Sequence, residues 1–471
     1  LLTLTKYKIS WGDLMKIQTI NPATEKVIQT YDCLNESMSY ERITAGDHAF
    51  RKWKLTAFAE RKKLMLKLAQ MLKEQKEELA ILMAMEMGKP ITAGQAEIDK
   101  CAWVCEHYAE HAEAYLAPRI IQTEMKKAKV SHLPLGVVFA IMPWNFPFWQ
   151  VFRFAAPTIM AGNAAILKHA PISSGTGNRI EQLFKDAGFP EHLFQHVIVD
   201  NEVAAQIIAH PKVVAVTLTG SERAGKAVAS RAGTFLKKVV LELGGSDPYL
   251  VLEDADLDLA ARCIVNSRLN NSGQVCIAAK RIIVLSSIEK ELTEKIWQQM
   301  KLFKMGDPLD SEIKLGPLAR ADLRDTVHKQ VEKSLKQGAK LLCGGIIPEG
   351  QGFYYPPTLL TNVTPGMPAF DEELFGPVIS VISTDSEQDA IAYANQSQYG
   401  LGAAVFTRDL EKGERIATHE IDVGVCFVNA MVASDPRLPF GGIKHSGYGR
   451  ELSKEGILEF VNTKTVGISD S

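Results

Sequence analysis

The chain has 471 residues, with 53 Lys+Arg against 55 Asp+Glu and a formal net charge of -2, a balance that excludes a wholesale basic nucleic-acid binder. With 46% hydrophobic and 23% charged residues, the composition is that of a folded globular protein and excludes a disordered one. At about 150 residues per domain the length excludes one small module and predicts roughly three units.

Residues 1–14 read as an extension, apolar only in patches and lacking a signal-peptide cleavage pattern, while Met15 reads like a domain start. Leu64, Leu68, Met71, Leu72, Leu79, Leu82 and Met83 recur at three- and four-residue intervals and predict one amphipathic helix over 60–87, stopped by Gly88 and Pro90. Cys101, Cys105, His107 and His111 follow on one helix. At 100° per residue the thiols and the imidazoles fall on nearly opposite faces, which predicts two packed thiols and two surface imidazoles instead of a metal site. Residues 133–152 hold no Asp, Glu, Lys or Arg, but Pro134, Pro143 and Pro147 exclude a continuous lipid-facing helix. That stretch predicts a buried strand and turn, and no membrane span.

Farther along, aliphatic runs at 137–142, 165–168, 196–199, 213–218 and 239–243 alternate with helical patterns at 176–187 and 222–232, the signature of parallel βαβ units. After Gly245 a second α/β stretch has helical patterns at 256–270, 288–303 and 321–337 and strand-like runs at 281–285 and 402–406. Two α/β lobes with a ligand cleft between them are expected, without internal repeats. Seven cysteines, an odd number spread from Cys33 to Cys426, do not form a secreted disulfide framework and predict a reducing, cytoplasmic setting.

Four segments carry chemistry. In Pro143-Trp-Asn-Phe-Pro147 two prolines fix the backbone around one amide, so Asn145 is either a hydrogen-bonded turn residue or a donor aimed at an oxyanion. Gly220-Ser-Glu-Arg-Ala-Gly225 follows a predicted strand and opens a helix, where backbone N–H groups and the helix dipole favour a phosphate. It runs on into Lys226 like the loop of a nucleotide triphosphatase, but Ala227 stands where that loop needs a hydroxyl for Mg²⁺. With no G-x-G-x-x-G fingerprint, the turn is either a phosphate cradle or a plain glycine-eased helix start. Glu242 ends an apolar strand just before Leu243, Gly244 and Gly245, a crevice position that suits either ribose binding or a carboxyl raised in pKa and used as a base. Asn271-Ser-Gly-Gln-Val-Cys276 presents a thiol on a polar loop, either a small buried hydrophobe or a nucleophile.

Together these pieces resemble the aldehyde dehydrogenase superfamily, in the family's order and over nearly the whole chain. The match includes Pro143-Trp-Asn-Phe-Pro147, Leu167-Lys168, Thr219-Gly-Ser221 with Gly225, Leu241-Glu-Leu-Gly-Gly245, Gly273-Gln-Val-Cys276, Glu373-Leu-Phe-Gly-Pro377, Asn429 and Pro439-Phe-Gly-Gly-Ile-Lys-His-Ser-Gly447. The resemblance implies Cys276 as nucleophile, Glu242 as the base that activates water, and the Asn145 amide with the Cys276 backbone N–H as oxyanion donors. It implies NAD or NADP as cofactor, beside Ile141, Met142, Trp144, Asn145, Lys168, His169, Ala170, Pro171, Gly220, Ser221, Gly225, Leu243, Glu373 and Phe375. Relatives that prefer NAD carry Glu three residues after the lysine, where this chain has Pro171. With no carboxylate to repel a 2′-phosphate, and with Lys168 and His169 close by, NADP is expected to be accepted as well as NAD.

Leu167-Lys-His-Ala170 and Glu242-Leu-Gly-Gly-Ser-Asp-Pro248 are most similar to a group of bacterial succinate semialdehyde dehydrogenases. In that group Arg153 matches a carboxylate-binding arginine, with Trp149 beside it, while Asn270 stands where some members place a second arginine. Ser434 and Arg437 are expected to compensate, since a guanidinium grips a carboxylate bidentately. Oxidation of an uncharged aldehyde and a non-catalytic nucleotide-binding role are the alternative readings. The implied fold is α/β, with two Rossmann-like domains and a small β oligomerisation element: residues 15–111 and 135–243 for the dinucleotide, 244–446 for catalysis, and 112–134 with 447–471 for a homodimer or homotetramer.

Overall fold

The structure is a computed structural model that describes residues 15–469, so the extension expected over residues 1–14 lies outside the described residues. The pattern over 60–87 forms two helices, Phe58–Glu74 and Lys76–Met87, that meet at Gln75. The polar run 73–78 between the buried Leu72 and Leu79 offers nothing to pack, and the chain breaks there. At the far end Gly88 takes a φ of 77° and the Pro317 ring crowds the place where a Cβ would stand, so the stop signal has a steric cause.

A six-stranded sheet runs, edge to edge, through Gly447–Tyr448, Lys238–Glu242, Val213–Thr219, Val137–Met142, Ala164–His169 and Phe194–His196. All pairings are parallel except that of the Gly447–Tyr448 edge. From Val137–Met142 the chain adds two strands on one side and then two on the other, which leaves a topological switch point at the carboxyl ends of Val137–Met142 and Val213–Thr219. A seven-stranded sheet holds Lys340–Cys343, Thr358–Thr361, Val378–Thr384, Arg281–Leu285, Pro248–Val251, Gly402–Phe406 and Val425–Val428, antiparallel only at its first edge. Its strands feed two separate cores: Leu250, Ile283, Ile382 and Val405 point to one, Val251, Ile282, Val381 and Phe406 to the other. Burial on both faces explains why these strands read as continuous apolar runs.

Residues 149–152, expected in a strand and turn, open the helix Trp149–Met160, of which every residue is buried. Its first turn is capped from a distance, since the Phe148 and Trp149 N–H groups both donate to Glu97 Oε1 at 2.9 Å. Glu97 lies on the long helix Ile91–Leu116, which also carries the Cys101 and His107 group. His107 is buried against this expectation. Its ring stacks on His111 at 4.4 Å, and its Nε2 meets the Tyr115 hydroxyl at 3.2 Å. Among the described residues no cluster of three or more His, Cys, Asp or Glu could hold a metal, and no helix is long and apolar enough to cross a membrane.

A third, antiparallel sheet joins Val461–Ile468, Lys127–Pro134 and Arg119–Ile121. It is narrower than the stretches read from sequence. Residues 112–116 finish the helix Ile91–Leu116, and Gly447–Tyr448 returns to the six-stranded sheet. Only glycine fits at 447, where φ is 114° and a Cβ would stand 2.0 Å from the Leu241 carbonyl oxygen.

Candidate active site

Four strand ends of the six-stranded sheet converge at the switch point. Thr219 pairs with Glu242, Ile141 with both Leu218 and Lys168, and the chain leaves Met142 into Pro143, Trp144 and Asn145. A cleft of about 250 Å³ opens there, with Gly220, Ser221, Leu243, Trp144, Glu373 and Phe375 in its walls. Ser221 caps the helix Glu222–Thr234, its hydroxyl accepting from the Ala224 N–H at 3.4 Å, so the positive end of that helix faces the cleft. Gly225 answers a packing need: a Cβ would stand 2.6 Å from the Leu243 side chain. Trp144 and Phe375 meet edge to face at 5.8 Å. An anion-favouring helix end at one place and an aromatic pair at another suit an elongated, phosphate-bearing, ring-ended ligand.

Next to this cleft the backbone of the nucleophile loop is strained. Asn271, Ser272 and Gly273 are all left-handed, with φ of 50°, 54° and 76°, and a Cβ on Gly273 would stand 2.3 Å from Gly376. Buried Arg268 staples this turn to the neighbouring segment by donating to the carbonyls of Gly273 at 3.2 Å and Leu374 at 2.6 Å. Asn145 Nδ2 donates to the Gln274 carbonyl at 3.0 Å while Asn271 Nδ2 donates to the Asn145 carbonyl at 2.7 Å, which aims the Asn145 amide at the loop bearing Cys276.

Lys280, buried, donates to the carbonyls of Cys276 at 2.6 Å and Val275 at 3.0 Å, and its Nζ lies 3.2 Å from Glu373 Oε1. Burial pushes the Cys276 thiol up to about 11, against the pull of Lys280 and Arg153. Glu242 is buried, and neither of its oxygens has a hydrogen-bond partner among the described residues. Burial holds its carboxyl well above the usual carboxylate range, with Arg153 pulling it back. Gly441 leaves it room, since a Cβ there would stand 2.7 Å from Glu242 Oε1.

A second cavity, of about 170 Å³, lies beyond Cys276, and the two spaces share Cys276 and Gln150 as wall residues. Trp149, Arg153 and Ser434 line it, together with Lys100. Arg153 is ion-paired with Glu451, its guanidinium faces Phe440 at 4.9 Å, and Nη2 donates to the Thr219 hydroxyl at 3.4 Å. Lys100 donates to Ser434 Oγ at 2.7 Å and lies 4.4 Å from the centre of the Trp149 ring. Arg437 is elsewhere. It is exposed, bound to Asp435 through Nε at 2.9 Å and Nη2 at 2.7 Å, and stacked on Trp103, so the loop that was expected to bring it inward instead closes on its own carboxylate.

A thiol between two cavities, beside an aimed amide and an unpaired buried carboxyl, is the arrangement the sequence motifs imply. A model of the aldehyde dehydrogenase family matches residues 11–466. The chain belongs to the aldehyde dehydrogenase family. Among relatives, the succinate semialdehyde dehydrogenase [NAD(P)+] Sad of Escherichia coli is 46% identical over 448 residues, which are 95% of this chain and 97% of that protein. A succinate-semialdehyde dehydrogenase [NADP(+)] of Deinococcus radiodurans is 42% identical over 95% of this chain and 94% of its own. The crystal structure of a succinic semialdehyde dehydrogenase from Streptococcus pyogenes with NADP+ superposes with a TM-score of 0.94 at 37% identity, covering 96% of this chain and all of that one. As a member of this family, the chain is an oxidoreductase that oxidises an aldehyde with NAD(P).

Measured against aldehyde dehydrogenase expectations, His169 needs correcting. Its Nε2 donates to the Pro147 carbonyl at 2.9 Å and its Nδ1 accepts the Ala170 N–H at 2.8 Å, so both nitrogens serve the backbone. Burial pushes it down to about 4, and a neutral imidazole offers no charge to a 2′-phosphate. Lys168 is buried with Asp200 and Cys33 nearby, Ala170 is half-buried and Pro171 exposed. Ile141 and Met142 form the strand end beneath the cleft. Asn429 is a backbone staple, exchanging two hydrogen bonds with Thr407. Sequence reasoning missed Lys100, Arg268, Lys280 and Glu451. No sequence pattern marked them, because each is a single charged residue whose role depends on a partner brought from a distant element.

Proposed function

We propose that this enzyme oxidises succinate semialdehyde to succinate. The observation that carries the reading is the junction at Cys276, with the cleft walled by Gly220, Ser221, Glu373 and Phe375 on one side and a small cavity lined by Arg153 and Lys100 on the other. Cations in a small cavity suit an aldehyde with a carboxylate at its far end. Relatives named for this substrate support it.

In the proposed reaction the Cys276 thiol gives its proton to water and so to bulk solvent, aided by the positive charge of Lys280 and Arg153, and its sulfur bonds the aldehyde carbon. The carbonyl oxygen becomes an alkoxide, stabilised by the Asn145 amide and the Cys276 N–H. Gly220, Ser221, Glu373 and Phe375 would hold the dinucleotide, which when bound supplies the hydride acceptor. The cysteine is left as a thioester. Glu242, ionised, takes a proton from water, the hydroxyl oxygen attacks the thioester carbon, and the C–S bond breaks to release the acid and the thiolate. An unpaired carboxyl with raised proton affinity is suited to that step.

NADP serves as well as NAD, on the ground that no carboxylate follows Lys168 where a 2′-phosphate would lie. Initial rates with succinate semialdehyde and with butanal, each with NAD and NADP, test the whole reading. A preference of about a hundredfold for the carboxylated substrate, roughly 2.7 kcal/mol, supports it, and equal rates sink the substrate assignment while leaving the chemistry of Cys276.

Residues 15–111 with 135–243 would form the cofactor domain and 244–446 the catalytic domain. The exposed strand Val461–Ile468 would join the sheet of a second copy to give a dimer or tetramer. Sedimentation velocity at the mass of a single chain would refute that assembly.

A further inference from the structure

We propose that Lys100 is the specificity-determining residue that holds the distal carboxylate of the substrate. The inference rests on the succinate semialdehyde reading above and deepens it.

The case is one of charge matching around the small cavity. Arg153 has its counter-charge in Glu451. Asp435 has its own in Arg437, and Glu97 pairs with the buried Lys89. What remains is Lys100. Among the described residues it makes no ion pair, and its contacts are the neutral Ser434 hydroxyl and the face of Trp149. The other polar walls, Gln150, Ser267 and Asn270, carry no charge.

Lys100 is half-buried, and a cation partly taken out of water without an anion is unfavourable, a cost that an entering carboxylate relieves. Arg153, already paired, gives a second anion much less net attraction than an unpaired ammonium does. Ser434 is placed to share the same carboxylate, since its hydroxyl already accepts from Lys100 and can donate its own proton.

The state of Lys100 agrees. Burial, reinforced by Arg153 on the helix Trp149–Met160, pushes it down to about 8, while Cys101 and Glu97 on its own helix and Asp435 in the loop after Val425–Val428 act upward. The ammonium is therefore kept near neutral pH and lost in mild alkali.

The test compares wild type, Lys100→Met and Lys100→Arg with succinate semialdehyde and with butanal. In Lys100→Met the ratio of kcat/KM for the two substrates should collapse about a hundredfold, with the loss in KM for the acid, and Lys100→Arg should restore part of it. A fall common to both aldehydes would make Lys100 a structural residue, and an unchanged ratio would leave Arg153 to hold the carboxylate. Either overturns the proposal. Wild type needs no refolding control: its KM for succinate semialdehyde should rise above about pH 8 while that for butanal does not, and parallel profiles overturn the proposal too. A wild type indifferent to the carboxylate removes the substrate reading itself and this inference with it, an outcome distinct from a selective wild type whose Lys100 variants stay selective.

Discussion

Lys280 Nζ lies 2.6 Å from the carbonyl oxygen of Cys276 and 3.2 Å from Glu373 Oε1, so one buried ammonium ties the nucleophile's own backbone to a wall of the dinucleotide cleft. Lys280→Met would keep the volume but leave the Cys276 carbonyl unpaired, the Val275 carbonyl with only the Ala278 N–H at 3.3 Å, and Glu373 without its cation. The expected cost is about 3 kcal/mol, read as a lowered denaturant midpoint, with a fall in kcat as the oxyanion N–H loses its fixed direction. A variant with wild-type midpoint and kcat would show that the clamp does neither job.

Asn145 has two amide protons. One is spent on Gln274 and the other is free for the alkoxide. Asn145→Ala should lower kcat by 10²- to 10³-fold, about 3 to 4 kcal/mol, with KM changed far less, because the donor acts where charge develops. Stopped-flow traces of reduced dinucleotide should show no burst phase in the variant, because addition to the aldehyde becomes its slow step. Unchanged kcat would return Asn145 to the role of a turn residue.

The parallel strands were legible because burial on both faces makes them continuous apolar runs, and the site motifs because glycines and prolines mark places where backbone must crowd. Gly447 against Leu241 and Gly273 against Gly376 are such places. The helix Trp149–Met160 was hidden since it is buried on every side and begins two residues after Pro147 in a stretch punctuated by prolines, and its cap, Glu97, is about fifty residues upstream. Lys100 and Glu451 were hidden for a related reason. Their meaning lies in which charges find partners, and that is set by packing between distant elements.

His169 is neutral and committed to Pro147 and Ala170, so discrimination between NADP and NAD must come from another charge. Lys168→Met should shift the ratio of kcat/KM values toward NAD by about tenfold, roughly 1.4 kcal/mol for one partly screened ammonium on a phosphate. His169→Gln should leave that ratio within about twofold while lowering thermal stability through loss of the Pro147 contact. A tenfold shift in His169→Gln would mean that the imidazole carries charge after all when the cofactor is bound.

Asp247 stands between Gly245 and Gly402, where added Cβ atoms would crowd its oxygens at 2.8 and 2.4 Å, and burial pushes its carboxyl up to about 7 against the pull of Lys280. A carboxyl raised in the folded state favours the folded state only while it is protonated. Its contribution is intact below the unfolded value near 3.8, shrinks as pH rises, and is lost once pH passes the folded value near 7. Between pH 5 and pH 8 this one group should therefore destabilise the fold by about 2 to 3 kcal/mol. Asp247→Asn keeps the shape without the ionisation, so urea midpoints of the variant should vary less over that range than those of wild type, and the variant should gain most at pH 8. Parallel curves for the two proteins would show that Asp247 is ionised in the fold at both pH values, with Lys280 holding its charge.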